Sequence, residues 1–181
     1  MSGHNKWSQI KRKKGVSDEK KSKIFSKLAR LISLESKKAL GNENAPGLRV
    51  VIEKARSFNM PADNIERAIK KGTGGEEGAL ESIIYEAYAP GGVALVIEAL
   101  TSNRNKASSE IKYILSKHEA ALGAIGSAAW AFRKTDEGLA PTTPMEVDGT
   151  TRTAIEALID ELEESDEVQD VYSTLSEQDL V

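Results

Sequence analysis

The 181-residue chain contains no cysteine. That excludes disulfide frameworks, thiolate zinc sites and cysteine nucleophiles, and it agrees with a reducing, cytoplasmic setting. Histidine is scarce as well, with only His4 and His118. General acid–base chemistry therefore has little to work with, and no Ser, His and acid constellation is legible. The expectation is a protein that is not an enzyme and needs no cofactor or metal. Long apolar runs are missing too. No window approaches the roughly 18 apolar residues of a membrane span, and the N-terminus has no apolar signal core. A mitochondrial presequence would be rich in Arg and Ser, whereas this terminus is Lys-rich with an early Trp. Aromatics make up 5% of the chain, yet 39% is hydrophobic. One domain or two small ones, each with a real core, are within reach.

What is present is charge, unevenly placed. The first 40 residues hold twelve Lys/Arg against three Asp/Glu. Residues 1–71 carry 18 basic and 7 acidic groups, and residues 72–181 carry 7 basic and 21 acidic ones. The net charge of −3 thus conceals a dipolar molecule. A run of like charge repels itself unless a partner neutralises it, and the commonest such partner is a phosphate backbone.

Residues 1–17 are basic and lack apolar period, which reads as an arm that is mobile until bound. Ser17 is a candidate N-cap, with Asp18 and Glu19 in the first turn. A helix to about Leu40 follows, with Ile24, Phe25, Leu28, Leu31 and Ile32 as its apolar stripe and Lys20, Lys21, Lys23, Lys27 and Arg30 on the rest of its surface. Pro46-Gly47 opens a second helix to about Ser57. Asn59-Met60-Pro61 reads as a cap and first-turn proline for a third, ending at Lys70-Lys71-Gly72. Residues 18–72 therefore form a three-helix bundle, and 73–79 a Gly-rich linker. In residues 80–181 the period changes. Ser82–Ala89 and Val93–Leu100 form a hairpin across Pro90-Gly91-Gly92. Thr101-Ser102 caps a helix bearing Ala107, Ile111, Ile114, Leu115 and His118 on one face. Ala128, Trp130 and Phe132 alternate as a half-buried strand would. Thr135–Thr143 is a polar connection, and Met145–Val147 a short strand. A helix over Thr151–Glu164 and a strand over Val168–Tyr172 complete an α+β layer with an antiparallel or mixed sheet.

Each motif has a functional reading and a plainer one. In the arm, His4, Lys6, Trp7, Lys11, Arg12, Lys13 and Lys14 suit phosphates and an unpaired base; the plainer reading is a solubilising tail, in which a Trp is odd. Lys20, Lys21, Lys23 and Lys27 extend the basic surface, with Arg67, Lys70, Lys71, Arg104 and Lys106 as secondary nucleic-acid contacts. Gly72–Gly78 lacks the spacing of a phosphate loop and carries Glu76 and Glu77, so it is a linker. Thr101–Lys106 presents amides, cations and a helix N-terminus that suit an anion, or it is a capped turn. Tyr85, Tyr88, Trp130 and Phe132 form a stacking platform or, as is commoner for strand aromatics, core. The acidic run Asp160–Glu167 lacks calcium-loop spacing and reads as a solvated helix face. His118 packs or caps its helix. No helix-turn-helix is recognisable, so backbone contact is better supported than base readout.

The chain resembles the YebC/PmpR-type regulators, whose mitochondrial relatives are translational activators. The resemblance lies in Gly3-His4-Asn5-Lys6-Trp7, Lys23–Leu28, Asn59–Gly72, Tyr85–Val93, Leu100–Asn105, Ser116-Lys117-His118, Gly126–Phe132 and Asp166–Tyr172. Asn5 stands where Ser is usual. Similar proteins carry a further α/β segment where Arg133–Pro144 alone stands here, so the chain looks like a short form lacking the inserted domain. The resemblance implies a DNA-binding transcriptional regulator or, alternatively, a ribosome-associated factor that binds ribosomal RNA or tRNA and relieves stalling on proline-rich stretches.

Overall fold

The computed structural model describes residues 18–74, 80–136 and 138–176. The arm with His4, Lys6, Trp7, Lys11, Arg12, Lys13 and Lys14, the Ser17 cap, the side chains of Asp18 and Glu19, and linker residues 75–79 lie outside the described residues. The chain divides into two compact units, Lys13–Glu81 and one containing Ser82–Val181.

The first unit is helical. Helix α1 (Asp18–Lys38) buries Ile24, Leu28 and Ile32. Phe25 and Leu31, expected in the same stripe, are only half-buried. Helix α2 (Pro46–Ser57) begins on proline and buries Leu48, Val51, Ile52 and Ala55. It ends through Asn59, which adopts φ 60°. Asn59 is therefore the left-handed terminator of α2, not the cap of the next helix. Helix α3 (Ala62–Thr73) has Pro61 at its N-cap with no side-chain cap bond, and buries Ile65, Ala68 and Ile69.

Helices α1 and α3 cross on small residues. Ser33 Oγ donates to Ala68 O at 2.9 Å, and Ser36 Oγ to Ile69 O at 2.8 Å. Gly72 lies inside α3, one residue before its end. A Cβ there would come within 2.3 Å of Ser33 O and 2.8 Å of Ser36 Cβ. Close approach of two backbones, not linker flexibility, is what requires glycine at this position.

The second unit is built on a four-stranded sheet whose strands lie in the order Ala121–Leu122, Glu81–Tyr88, Ala94–Thr101, Val168–Ser173. Strands β1 (Glu81–Tyr88) and β2 (Ala94–Thr101) are joined through Pro90-Gly91-Gly92, where both glycines have positive φ. Helix α4 (Arg104–Lys117) leads to the two-residue β3 (Ala121–Leu122), which pairs antiparallel with β1. Helix α5 (Gly149–Glu164) precedes β6 (Val168–Ser173), which pairs antiparallel with β2. One sheet face carries Ala87, Val93, Leu95 and Ile97 against Ile111 and Leu115 of α4 and Ile155, Leu158 and Leu162 of α5. The opposite face carries Ala94, Val96 and Tyr172 under Ala128, Ala131 and Phe132.

That covering segment departs from expectation. Ala129–Ala131 is a 3₁₀ turn, and the strand begins only at Phe132. The residues read as a polar connection instead form a hairpin, β4 (Phe132–Thr135) with β5 (Gly138–Pro141), in register from Phe132↔Pro141 to Thr135↔Gly138. Pro141 is tolerated there because a two-stranded ribbon is all edge. Met145 makes a single bridge to Leu175 and is not part of a strand.

Candidate nucleic-acid interface

The α1 positions 22, 25, 26, 29, 30 and 33 recur at three and four and so share one helix face. Positions 64, 67, 68 and 71 do the same on α3. The two faces line one groove of about 450 Å³, with Met60 and Leu80. On α1 the lining is mostly small: Ser22, Ser26, Ala29 and Ser33 leave the groove open, while Phe25 contributes an aromatic surface. Cations come from both helices, as Arg30 from one and Arg67 and Lys71 from the other. Among the described residues, no carboxylate lines it. Arg67 is held by its own helix: Nε donates to Asp63 O at 3.2 Å and Nη2 to Asn64 Oδ1. Two of its five N–H donors are thereby engaged, and the guanidinium is positioned in the groove wall.

The other described cations surround this feature in sequence. Lys20 and Lys21 are exposed and Lys23 and Lys27 half-buried on α1, and Lys70 is exposed in the last turn of α3. Of the residues singled out from sequence, Lys20, Lys21, Lys23, Lys27, Arg67, Lys70 and Lys71 thus fall on the two crossing helices. Arg30, Phe25 and Asn64 were not among them. Their spacing with Arg67 and Lys71 was visible, but that the two faces meet was not.

Arg104 and Lys106 belong to the sheet unit. Asn103, not Thr101 or Ser102, caps α4, its side chain accepting from the Lys106 amide at 3.1 Å. Thr101 Oγ1 instead closes the preceding turn with the Asn103 amide at 2.9 Å. Lys106 Nζ lies 2.7 Å from Oε1 of Glu167, a carboxylate that is itself buried. The acidic run is accordingly less solvated than it reads, with Glu163 and Glu167 both buried. Glu161 receives Lys117 Nζ at 2.8 Å and His118 Nε2 at 2.7 Å. Hydrogen bonds from Lys117 first, then His118, hold the Glu161 carboxyl below the usual range, and the same pairing raises Lys117. His118 occupies the C-cap of α4. Among the described residues no group of acidic or His side chains could hold a metal ion, and no helix is long and apolar enough to cross a membrane.

A second built feature is Glu86. Its buried carboxylate accepts the amides of Gly126 and Ala128 at 2.6 Å and of Ala129 at 2.7 Å. Burial pushes its pKa up, but the three donors outweigh burial and leave it below the ordinary glutamate value. Ser127 O accepts from Tyr88 Oη at 2.5 Å and from Trp130 Nε1 at 2.7 Å. Trp130, expected in the core, is 72% exposed. The 3₁₀ turn breaks the strand alternation and points it outward, while Phe132 is buried as expected.

Two family models match the chain: the TACO1/YebC protein N-terminal domain over residues 5–75, and the TACO1/YebC second and third domain over residues 80–137. A probable transcriptional regulatory protein of Trichlorobacter lovleyi is 47% identical over 175 residues, covering 96% of this chain and 70% of that protein. One from Fervidobacterium nodosum is 50% identical over 171 residues, covering 93% and 68%. The crystal structure of a conserved hypothetical protein from Aquifex aeolicus superposes with a TM-score of 0.82 at 31% identity, covering 97% of this chain and 99% of that one. With matches of this extent across both units, the chain belongs to the TACO1/YebC family.

Proposed function

We propose that this protein is a non-enzymatic, cytoplasmic regulator of gene expression that acts by binding nucleic acid. The observation that carries this reading is the convergence of cations from two helices on a groove with no carboxylate in its described lining. Opposite charge in a concave setting concentrates a polyanion and speeds its capture. The basic N-terminal arm would add phosphate contacts to those of α1 and α3. The relatives' printed name, probable transcriptional regulatory protein, favours DNA as the target. A ribosome-associated role on ribosomal RNA or tRNA is the second reading. The groove favours it, because splayed-out single-stranded bases are the usual object of RNA recognition.

Fluorescence anisotropy across a salt series tests the common claim. With six or more phosphates neutralised, log K should fall against log salt with a slope of about −5 or steeper. Deleting residues 2–15 should flatten that slope, and an unchanged slope and affinity would overturn the arm's part in it. A transcription regulator should then discriminate its duplex site from random DNA by at least about 4 kcal/mol. A translation factor should co-sediment with ribosomes.

A further inference from the structure

We infer that the groove between α1 and α3 seats one unpaired nucleotide of a single strand, its base against Phe25 and its phosphate on Arg30, Arg67 and Lys71. This rests on the nucleic-acid reading above and adds to it the state of the strand that is recognised. The groove is about 450 Å³, within the roughly 300–1,000 Å³ of small-ligand sites, and so has room for a base with its sugar. Its surface divides by chemistry. Phe25, Ala29, Met60, Ala68 and Leu80 supply apolar lining, and three cations from two helices line the same groove. A flat apolar body joined to an anion is what this combination fits, and that describes a nucleotide better than a peptide or a lipid.

Access also has a structural cause. The α1 face is built from Ser22, Ser26, Ala29 and Ser33, where larger side chains would fill the space. Ser33 is tied to the backbone of Ala68 at 2.9 Å, which holds the two walls at a set separation. Stacking between a base and an aromatic side chain is sequence-tolerant, because every base presents a π-face. A base inside a duplex is already stacked on both sides and cannot enter. The groove therefore distinguishes paired from unpaired strands without reading sequence.

The test uses the full chain and two probes of equal length. One is a single-stranded oligonucleotide with one 4-thiouridine, and the other is the same strand annealed to its complement. Photocrosslinks from the single strand, mapped by mass spectrometry, should fall within residues 22–33 and 60–71. Ser26→Trp, which fills the groove without changing charge, should weaken single-strand binding about tenfold, the scale of one lost stacking contact, and leave duplex binding unchanged. Phe25→Leu keeps the apolar bulk and should act in the same direction; it decides the matter if Ser26→Trp does not fold. If both probes bind but crosslinks map elsewhere, or both variants bind the single strand as the wild type does, the inference fails and the general reading survives. If neither probe binds, both fail.

Discussion

The two units of this molecule use charge in opposite ways. In the sheet unit, acidic groups are employed inside the fold. Glu86 holds a loop by three amides, Glu167 receives Lys106, Glu161 ties the end of α4 to α5, and Asp148 caps α5 through the amides of Thr150 and Thr151. In the helical unit the cations of α1 and α3 line a concave surface instead. An excess of like charge therefore means different things in the two halves. The acidic half spends part of its charge on its own stability, whereas the basic half gathers cations from two helices on one groove.

The largest effect should come from Glu86→Gln. Stranding amides that a buried carboxylate now satisfies should destabilise the sheet unit by about 3 kcal/mol. Hydrogen exchange should show early opening around residues 123–130 while nucleic-acid affinity stays constant; lost affinity would mean that the units do not divide the work as described. The complementary change is Arg67→Glu with Lys71→Glu. Affinity should drop about 100-fold and the salt slope fall by about 2, with no loss of thermal stability. Gly72→Ala probes the helical unit alone. The added methyl forces α1 and α3 apart, and overpacking of this kind costs about 1–3 kcal/mol, partly offset by better helix propensity. Calorimetry should resolve a loss of about 1 kcal/mol, and single-strand binding should weaken with it. Acid should act on the sheet unit first. A carboxylate whose folded pKa is depressed stabilises above its unfolded value and loses that contribution as pH falls through the folded one. For Glu86 this places the loss below the ordinary glutamate range. Smallest is Lys106→Met, which should cost about 1 kcal/mol through its buried partner Glu167 and leave the salt slope unchanged.

Much of this fold was legible along the chain because periodicity reports local burial directly. Ile24, Leu28 and Ile32, the Leu48–Ala55 face, and the Ile155–Leu162 stripe all fall where spacing of three and four puts them. The misreadings share a cause. Gly72, Trp130 and Asn59 each have a local preference that a distant or backbone-level constraint overrides. Gly72 answers to Ser33 across a helix crossing, Trp130 to a 3₁₀ turn pinned by Glu86, and Asn59 to the end of the helix before it rather than the one after. The groove was hidden for the same reason. Ser22, Ser26, Ala29 and Ser33 carry no signal of their own along the chain, and only the helix crossing brings Arg67 and Lys71 into the same groove.

The β4–β5 hairpin also bears on how such a chain changes length. Its strands end side by side, with Thr135 Oγ1 donating to Gly138 O at 3.0 Å, so the chain leaves and re-enters the unit at nearly one point. The second family model stops at residue 137, between the two strands in sequence, and the curated relatives are longer, this chain spanning about 70% of them. A segment spliced in at such a doorway closes over almost no distance, and the entropy of closing a loop grows only logarithmically with its length. The ribbon itself would retain Phe132 and Pro141 in register whatever was added beyond Thr135 and Gly138. The hairpin is in that sense a seam, a place where evolution or an engineer could exchange whole modules while the core is inherited intact.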